Sequence, residues 1–330
     1  MKNTRALLID LARREAERRG ADDDVISGYI VGSVARDEEP LGGVTDIDLV
    51  LIHDEPPSIP REIVRLSDQI HHDIAHHHKD LYAKPRELRV HPWMGPSLCE
   101  PLFIYDPHHF FEWAQAGARG QFYRPDHMLA RSKAFLQQAR RGATLLPMTG
   151  RWVRTYVHAA MDAVNAVACL TGFPAAGRRV MAELADSIAK LEYPQLLGGF
   201  LDLVGAGHFN NWDVPALLSA WGKAFDAATN LSSDPELHPS RRIYFLQGFQ
   251  TLVEDGQSKS ILWTLLSSWE RSIYALDSNE EWHDLTDQWD SFLRSIKLSA
   301  PDRKQREEQL SAYIDSAENI VETWGEEHGA

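Results

Sequence analysis

The chain has 330 residues, 43% of them apolar, and a formal charge of −14. That length suits two domains with a real hydrophobic core. The acidic excess excludes broad contact with a polynucleotide, whose backbone is bound largely through Lys and Arg, whereas a small or cationic partner is compatible with it.

From the N-terminus, Asp10, Arg13, Arg14, Glu15 and Glu17 interrupt any apolar stretch, which argues against a signal peptide and for an amphipathic helix with Leu7, Leu8 and Leu11 inward. An apolar strand from Ile26 to Val31 follows, then a Gly32-Ser33 turn and a short helical start at Val34-Ala35-Arg36. After a loop comes a second strand, Asp46-Ile47-Asp48-Leu49-Val50-Leu51-Ile52. Alternate side chains share a strand face, so Asp46 and Asp48 point the same way while Ile47, Leu49 and Leu51 point into a core.

Two carboxylates held side by side repel and raise each other's pKa unless a cation sits between them. Hard oxygen ligands favour Mg²⁺, which takes one or two carboxylates and fills its other positions with water and substrate phosphates. The Gly-Ser turn supplies a complementary feature. Gly lets the backbone approach a ligand closely, and the N–H groups of the helical start, with the Ser33 hydroxyl, form an anion site suited to a triphosphate.

Further along, Pro101-Leu102-Phe103-Ile104-Tyr105-Asp106-Pro107 reads as a last strand ended by Pro. Near Tyr123-Arg124-Pro125 the pattern becomes helical. Apolar periodicity predicts helices over Asp126 to Arg141, Arg151 to Leu170, Gly177 to Leu191, Val214 to Thr229, Arg241 to Glu254, Ile261 to Ala275, Asn279 to Ile296 and Arg303 to Trp324. The aromatic residues of this half are expected mainly in its core. No run is long enough to cross a bilayer, so no membrane partner is expected. Cys99 and Cys169 stand in no metal or redox spacing, which fits a reduced, cytoplasmic setting.

Val31-Gly32-Ser33, a loop, and Asp46-Ile47-Asp48-Leu49 together resemble the signature of the DNA polymerase β-type nucleotidyltransferase superfamily. The resemblance covers about the first third of the chain. It implies an α+β fold in which a nucleotidyltransferase module, a small mixed sheet flanked by helices over residues 1–122, precedes an all-α substrate-binding domain over 123–330. It also implies a third carboxylate on a later strand, for which Asp73 in Gln69-Ile70-His71-His72-Asp73-Ile74-Ala75-His76 is the candidate. By analogy, Asp46, Asp48 and Asp73 would ligate two Mg²⁺ ions, and Asp73 would help deprotonate the attacking hydroxyl. Gly32, Ser33, Arg36 and Thr45 would contact the nucleotide, with Thr45 standing where many members have Ser. The acidic loop through Asp37, Glu38 and Glu39 departs from the shorter loop of many small members and is expected to face outward.

The helical half is similar to the C-terminal domains of small-molecule nucleotidyltransferases such as the aminoglycoside adenylyltransferases. The similarity rests on the Ala-rich helix through Asn165, Leu170-Thr171-Gly172-Phe173-Pro174 and Gly177-Arg178-Arg179. It adds Arg178 as a candidate triphosphate contact, although two solvated arginines on a helical turn explain that pair equally well. Read this way, the chain transfers a nucleoside monophosphate, AMP from ATP by family precedent, to a hydroxyl of a small, cationic acceptor such as an aminoglycoside. The alternatives are adenylylation of a protein partner and a non-catalytic nucleotide-binding protein. Of the histidines around Asp73, alternation places His71 and His77 on its face, where one could tune the base. His72, His76 and His78 fall opposite, so no closed zinc set forms, and His76 and His78 read as ordinary strand residues.

Overall fold

The computed structural model describes residues 4–22, 24–209, 212–276 and 280–330. The chain divides into two compact units, Met1–His127 and Met128–Ala330. The architecture is α+β: a small mixed sheet with helices near the N-terminus, then an all-helical region.

Helix α1 (Arg5–Asp22) leads into β1 (Val25–Ile30) and a single helical turn, α2 (Gly32–Ala35). Then come β2 (Thr45–His53), β3 (Arg61–Arg65) and β4 (Ile70–His78). Short helices α3 (Pro85–Leu88) and α4 (Met94–Cys99) precede β5 (Leu102–Tyr105) and α5 (Phe110–Arg119). The sheet order is β3-β4-β2-β1-β5, with β2 and β4 parallel and the other neighbours antiparallel.

Both faces of this sheet are covered. On one, Leu8, Ala12 and Ala16, spaced four apart along α1, pack on Ile47, Leu49, Leu51 and Ile74. Leu11 packs against the margin of that cluster, but Leu7 does not join it, so the inward stripe of α1 is rotated from the expected one. On the other face, Val50, Ile52 and Tyr29 meet Tyr82, Leu88, Leu98, Phe111 and Ala114, with the Tyr29 and Phe111 rings stacked at 4.1 Å. Beyond the N-terminal helix and the helical start at Val34, the sequence predicts only strands and turns before residue 123. Pro85, Gly95, Pro96 and Pro101 break the helical pattern there into pieces too short for periodicity to show.

The second unit holds α6 (Pro125–Leu145, whose first turn contains the boundary), α7 (Trp152–Ala168), α8 (Val180–Lys190) and α9 (Pro194–Leu203). It continues through α10 (Val214–Thr229), α11 (Pro239–Glu254), α12 (Leu262–Leu276), α13 (His283–Ser295) and α14 (Arg303–His328). Alanine-rich α7 is buried on nearly every side and packs against α8, α9, α12 and α14, because its small side chains let other helices come close. Tryptophans fill the wider gaps: Trp221 lies 5.2 Å from Phe249, Trp269 stacks on Phe292 at 5.2 Å, and the Trp221 Nε1 donates to Ser268 Oγ at 3.0 Å. The expected helices are present to within a few residues at their described ends, while Asn279 lies outside the described residues. Helix α9 was missed because Gly198-Gly199 reads as a break. A Cβ at Gly199 would come 3.0 Å from the Tyr313 ring, so glycine there serves close packing.

The two-sided cover has a direct consequence for stability. Leu49→Ala should cost about 2–5 kcal/mol and Val50→Ala more than about 1.5 kcal/mol by urea denaturation, since each side chain fills a different core. A near-neutral Val50→Ala would mean that the second face is open to water.

Candidate metal centre

Alternation along β2 sends Ile47 and Leu49 into the α1-side core and leaves Asp46 and Asp48 together on the opposite face. Strand β4 runs parallel to β2 in a register that sets Asp48 directly across from Asp73 and Asp46 across from His71. One carboxylate oxygen from each of Asp46, Asp48 and Asp73 lies within 4.8 Å of the other two. Asp46 and Asp73 are buried and Asp48 is half-buried.

Three carboxylates this close repel one another, and a divalent cation among them relieves the repulsion. The donor set is all hard oxygen, which suits an ion such as Mg²⁺ and gives no preference for soft metals. Asp46, Asp48 and Asp73 are the residues that would hold it. Arg61, on edge strand β3, clamps Asp73 from the side: its Nε donates to Oδ1 at 2.6 Å and its Nη2 to Oδ2 at 2.5 Å. In the ladder, Arg61 faces Ala75, two residues beyond Asp73, so this is a diagonal pair on one face.

The Gly-Ser turn is built against the same carboxylates. Gly32 has φ +71°, and a Cβ there would lie 2.0 Å from Asp48 Oδ2, so only glycine fits. The Val31 N–H donates to the Asp48 carbonyl at 3.0 Å, fixing the turn to β2. No side chain caps the N-terminus of α2, and Ser33 is its second residue. From the other end, Arg5 on α1 donates to the carbonyls of Val34 at 3.0 Å and Ala35 at 2.8 Å, bracing the turn from behind. Arg5 and Arg61 are the two positioning residues that the sequence reading missed. Both act through contacts distant in sequence, which no local pattern announces.

The remaining candidates are placed as follows. Thr45 is buried and donates its hydroxyl to the Asp46 carbonyl at 3.0 Å. Arg36 donates Nε to Glu38 at 2.5 Å. Arg178 belongs to the helical unit, where its guanidinium lies 3.5 Å from the centre of the Tyr244 ring and Nη1 donates to the Tyr244 carbonyl at 2.8 Å.

The histidines of β4 are more deeply engaged than expected. His77 Nδ1 and the Tyr82 hydroxyl share a hydrogen bond of 2.6 Å, and Tyr82 meets the Tyr29 hydroxyl at 2.8 Å. Burial pushes His77 down to about 4, with His76 and His53 adding to the effect. On the α1 face, His76 is not the ordinary strand residue expected. It joins a chain in which Asp24 meets His53 at 2.9 Å, His53 meets His76 at 2.9 Å, His76 meets Glu62 at 3.1 Å and Arg19 donates to Glu62 at 2.6 Å. That chain ties β2, β3, β4 and α1 together behind the carboxylates. Burial also lowers His72 and His76.

No protein-family model and no curated protein matches this sequence. Among solved structures, the chain is similar to a nucleotidyltransferase-like protein from Exiguobacterium sibiricum 255-15, with 13% identity over 86% of this chain and 90% of that one, at a TM-score of 0.30. A likeness that distant carries no chemistry across, and what this chain can do has to be read from its own residues.

A histidine held neutral below its ordinary value of 6.5 resists protonation in the folded state, while the unfolded chain accepts the proton first. The contribution of His77 to stability is therefore complete above about pH 6.5 and is lost as pH falls toward about 4. His77→Asn should flatten the stability-against-pH curve in that window by roughly one proton, as followed by urea midpoints. An unchanged slope would show that His77 titrates normally.

Proposed function

We propose that the protein is a metal-dependent nucleotidyltransferase that moves a nucleoside monophosphate from a nucleoside triphosphate to a hydroxyl of a small acceptor, releasing pyrophosphate. The observation that carries this reading is the convergence of Asp46, Asp48 and Asp73 within 4.8 Å, with Asp48 packed against a glycine that opens an uncapped helical turn. An acidic metal centre beside backbone N–H groups suits a substrate that brings phosphates and needs a divalent ion to bind them.

In this account Asp46, Asp48 and Asp73 hold Mg²⁺, and the Gly32-Ser33 turn and Arg36 orient the triphosphate, while buried Thr45, on the face of Ile47 and Leu49, braces the start of β2 through its hydrogen bond to the Asp46 carbonyl. Bound magnesium supplies positive charge that offsets the charge growing on the phosphates as the bond to pyrophosphate lengthens. Asp73, fixed in orientation by Arg61, accepts the proton of the acceptor hydroxyl as that oxygen attacks the α-phosphorus. The bond from the α-phosphorus to the bridging oxygen breaks, and pyrophosphate leaves with the electron pair. Positioning and charge stabilisation do most of the work in such a transfer, which is why few side chains are needed. We take ATP as the donor, with Mg²⁺ as the ion. A small hydroxylated cation, of the aminoglycoside class, is the acceptor that a chain of charge −14 attracts.

Incubation with Mg²⁺ and labelled ATP against aminoglycosides, a cell protein extract and tRNA in parallel tests the reading. Label should appear on the aminoglycosides, with an apparent affinity that weakens as salt rises. Label on protein bands alone would replace the small acceptor with a protein one, and nucleotide binding without pyrophosphate release would make the protein non-catalytic. Asp46→Ala and Asp48→Ala should each lower turnover by about 10²-fold or more. Asp73→Asn, which also removes a metal ligand, should lower kcat by about 10²- to 10⁴-fold, far more than it weakens Mg²⁺-dependent nucleotide binding. Loss of nucleotide binding at an unchanged single-turnover rate would instead make Asp73 structural.

A further inference from the structure

The helical unit contains a positive cluster for which the metal centre has no use. Along α7, Arg151 at the N-cap, Arg154 and His158 fall on one stripe. Along the adjacent α12, Trp263, Ser267, Arg271 and Tyr274 form the facing stripe. Contacts join the two: the Trp263 and His158 rings meet edge-on at 5.8 Å, and the Arg151 guanidinium lies 3.8 Å from the centre of the Tyr274 ring.

The nearby carboxylates are already matched. Arg151 makes a two-point pair with buried Glu270, at 2.9 and 2.6 Å, and Arg271 donates to Asp234 at 2.5 Å. Half-buried Arg154 makes no hydrogen bond or ion pair among the described residues. Burial, then Arg271 and Arg151, disfavour its charge more than the nearby Glu270 and Asp234 favour it. Burial, with Arg154, Arg271 and Arg151 adding to it, also pushes His158 down to about 4, so the ring is neutral at pH 7. Among the described residues, its Nε2 and the Ser267 Oγ are buried without hydrogen-bond partners. Asp162, one turn beyond His158, does not redress the balance: burial pushes its carboxyl up to about 7, so it bears only part of a charge at neutral pH.

An unmatched guanidinium, a second guanidinium beside it and two orphaned polar groups share one chemical need. Unpaired charge and unpartnered buried polar atoms are costly, and a single anion with several acceptor oxygens satisfies all of them at once. We propose that Arg154, Arg271, His158 and Ser267 form a binding site for a phosphate-type oxyanion, free or at the end of a polyphosphate chain. A tetrahedral group suits donors presented from two helices better than a planar carboxylate, whose acceptor directions lie in one plane. The site lies within the helical unit and stands whether or not the metal centre transfers nucleotides.

Two probes, orthophosphate and inorganic tripolyphosphate, distinguish the free anion from the polyphosphate. Titration by calorimetry at constant ionic strength should give saturable binding of at least one of them, with a rise in Tm that sodium chloride does not reproduce. Arg154→Gln should weaken that binding by about tenfold or more while leaving Tm in phosphate-free buffer unchanged or raised, because it removes an unmatched charge. Ser267→Ala should weaken it less, and Asp48→Ala should leave it intact, which separates this site from the metal centre. Failure of both probes to bind, or equal binding by wild type, Arg154→Gln and Ser267→Ala with all three folded by circular dichroism, would overturn the proposal.

Discussion

The parallel register between β2 and β4 is the constraint on which the candidate centre depends. It sets Asp48 against Asp73 while alternation keeps Asp46 on the same face, so three negative charges converge within 4.8 Å. A slip of one residue would carry Asp73 to the α1 face and put His72 or Ile74 in its place. The register is held because each strand has apolar residues that must reach a core: Leu49 and Ile74, paired across the ladder, both lie in the cluster under α1. Hydrophobic burial thereby maintains an electrostatically unfavourable arrangement, a combination expected where a metal ion offsets the repulsion.

Around that core the chain restrains each element that reaches the carboxylates. Arg61 orients Asp73, Arg5 braces the single turn of α2, and the absent side chain of Gly32 leaves room for the Asp48 carboxylate. On the opposite face, the hydrogen-bonded chain from Asp24 through His53 and His76 to Glu62 and Arg19 joins the strands bearing the aspartates to edge strand β3 and to α1. A site held on both sides of its sheet has little freedom to spread under its own charge, which is the kind of preorganisation that transfer chemistry requires.

Asp46, Asp48 and Gly32 were legible because strand alternation and the glycine turn are local properties with short periods. The helices of the second half were legible for the same reason. Asp73 was named through the family resemblance, and alternation sorted the histidines of Ile70 to His78 onto two faces, but the pairing that sets Asp73 against Asp48 depends on packing far away in sequence. Arg61 and Arg5 act across 12 and about 30 residues respectively, so nothing nearby marked them. The short helices between Tyr82 and β5 and the glycine-containing α9 were hidden by Pro and Gly, which here serve helix starts and close contacts. The net charge was legible, but its distribution was not: the acidic chain gathers Arg151, Arg154 and Arg271 between α7 and α12.

The central claim is that the three aspartates act together as one divalent-cation site. Manganese binding followed by electron paramagnetic resonance tests it most directly, because Mn²⁺ replaces Mg²⁺ at oxygen sites and its free and bound forms are distinguished. The account predicts saturable binding that tightens when ATP is added, and loss of that binding in Asp46→Asn, Asp48→Asn and Asp73→Asn variants that retain their fold. Binding of equal affinity in the wild type and all three variants would contradict it.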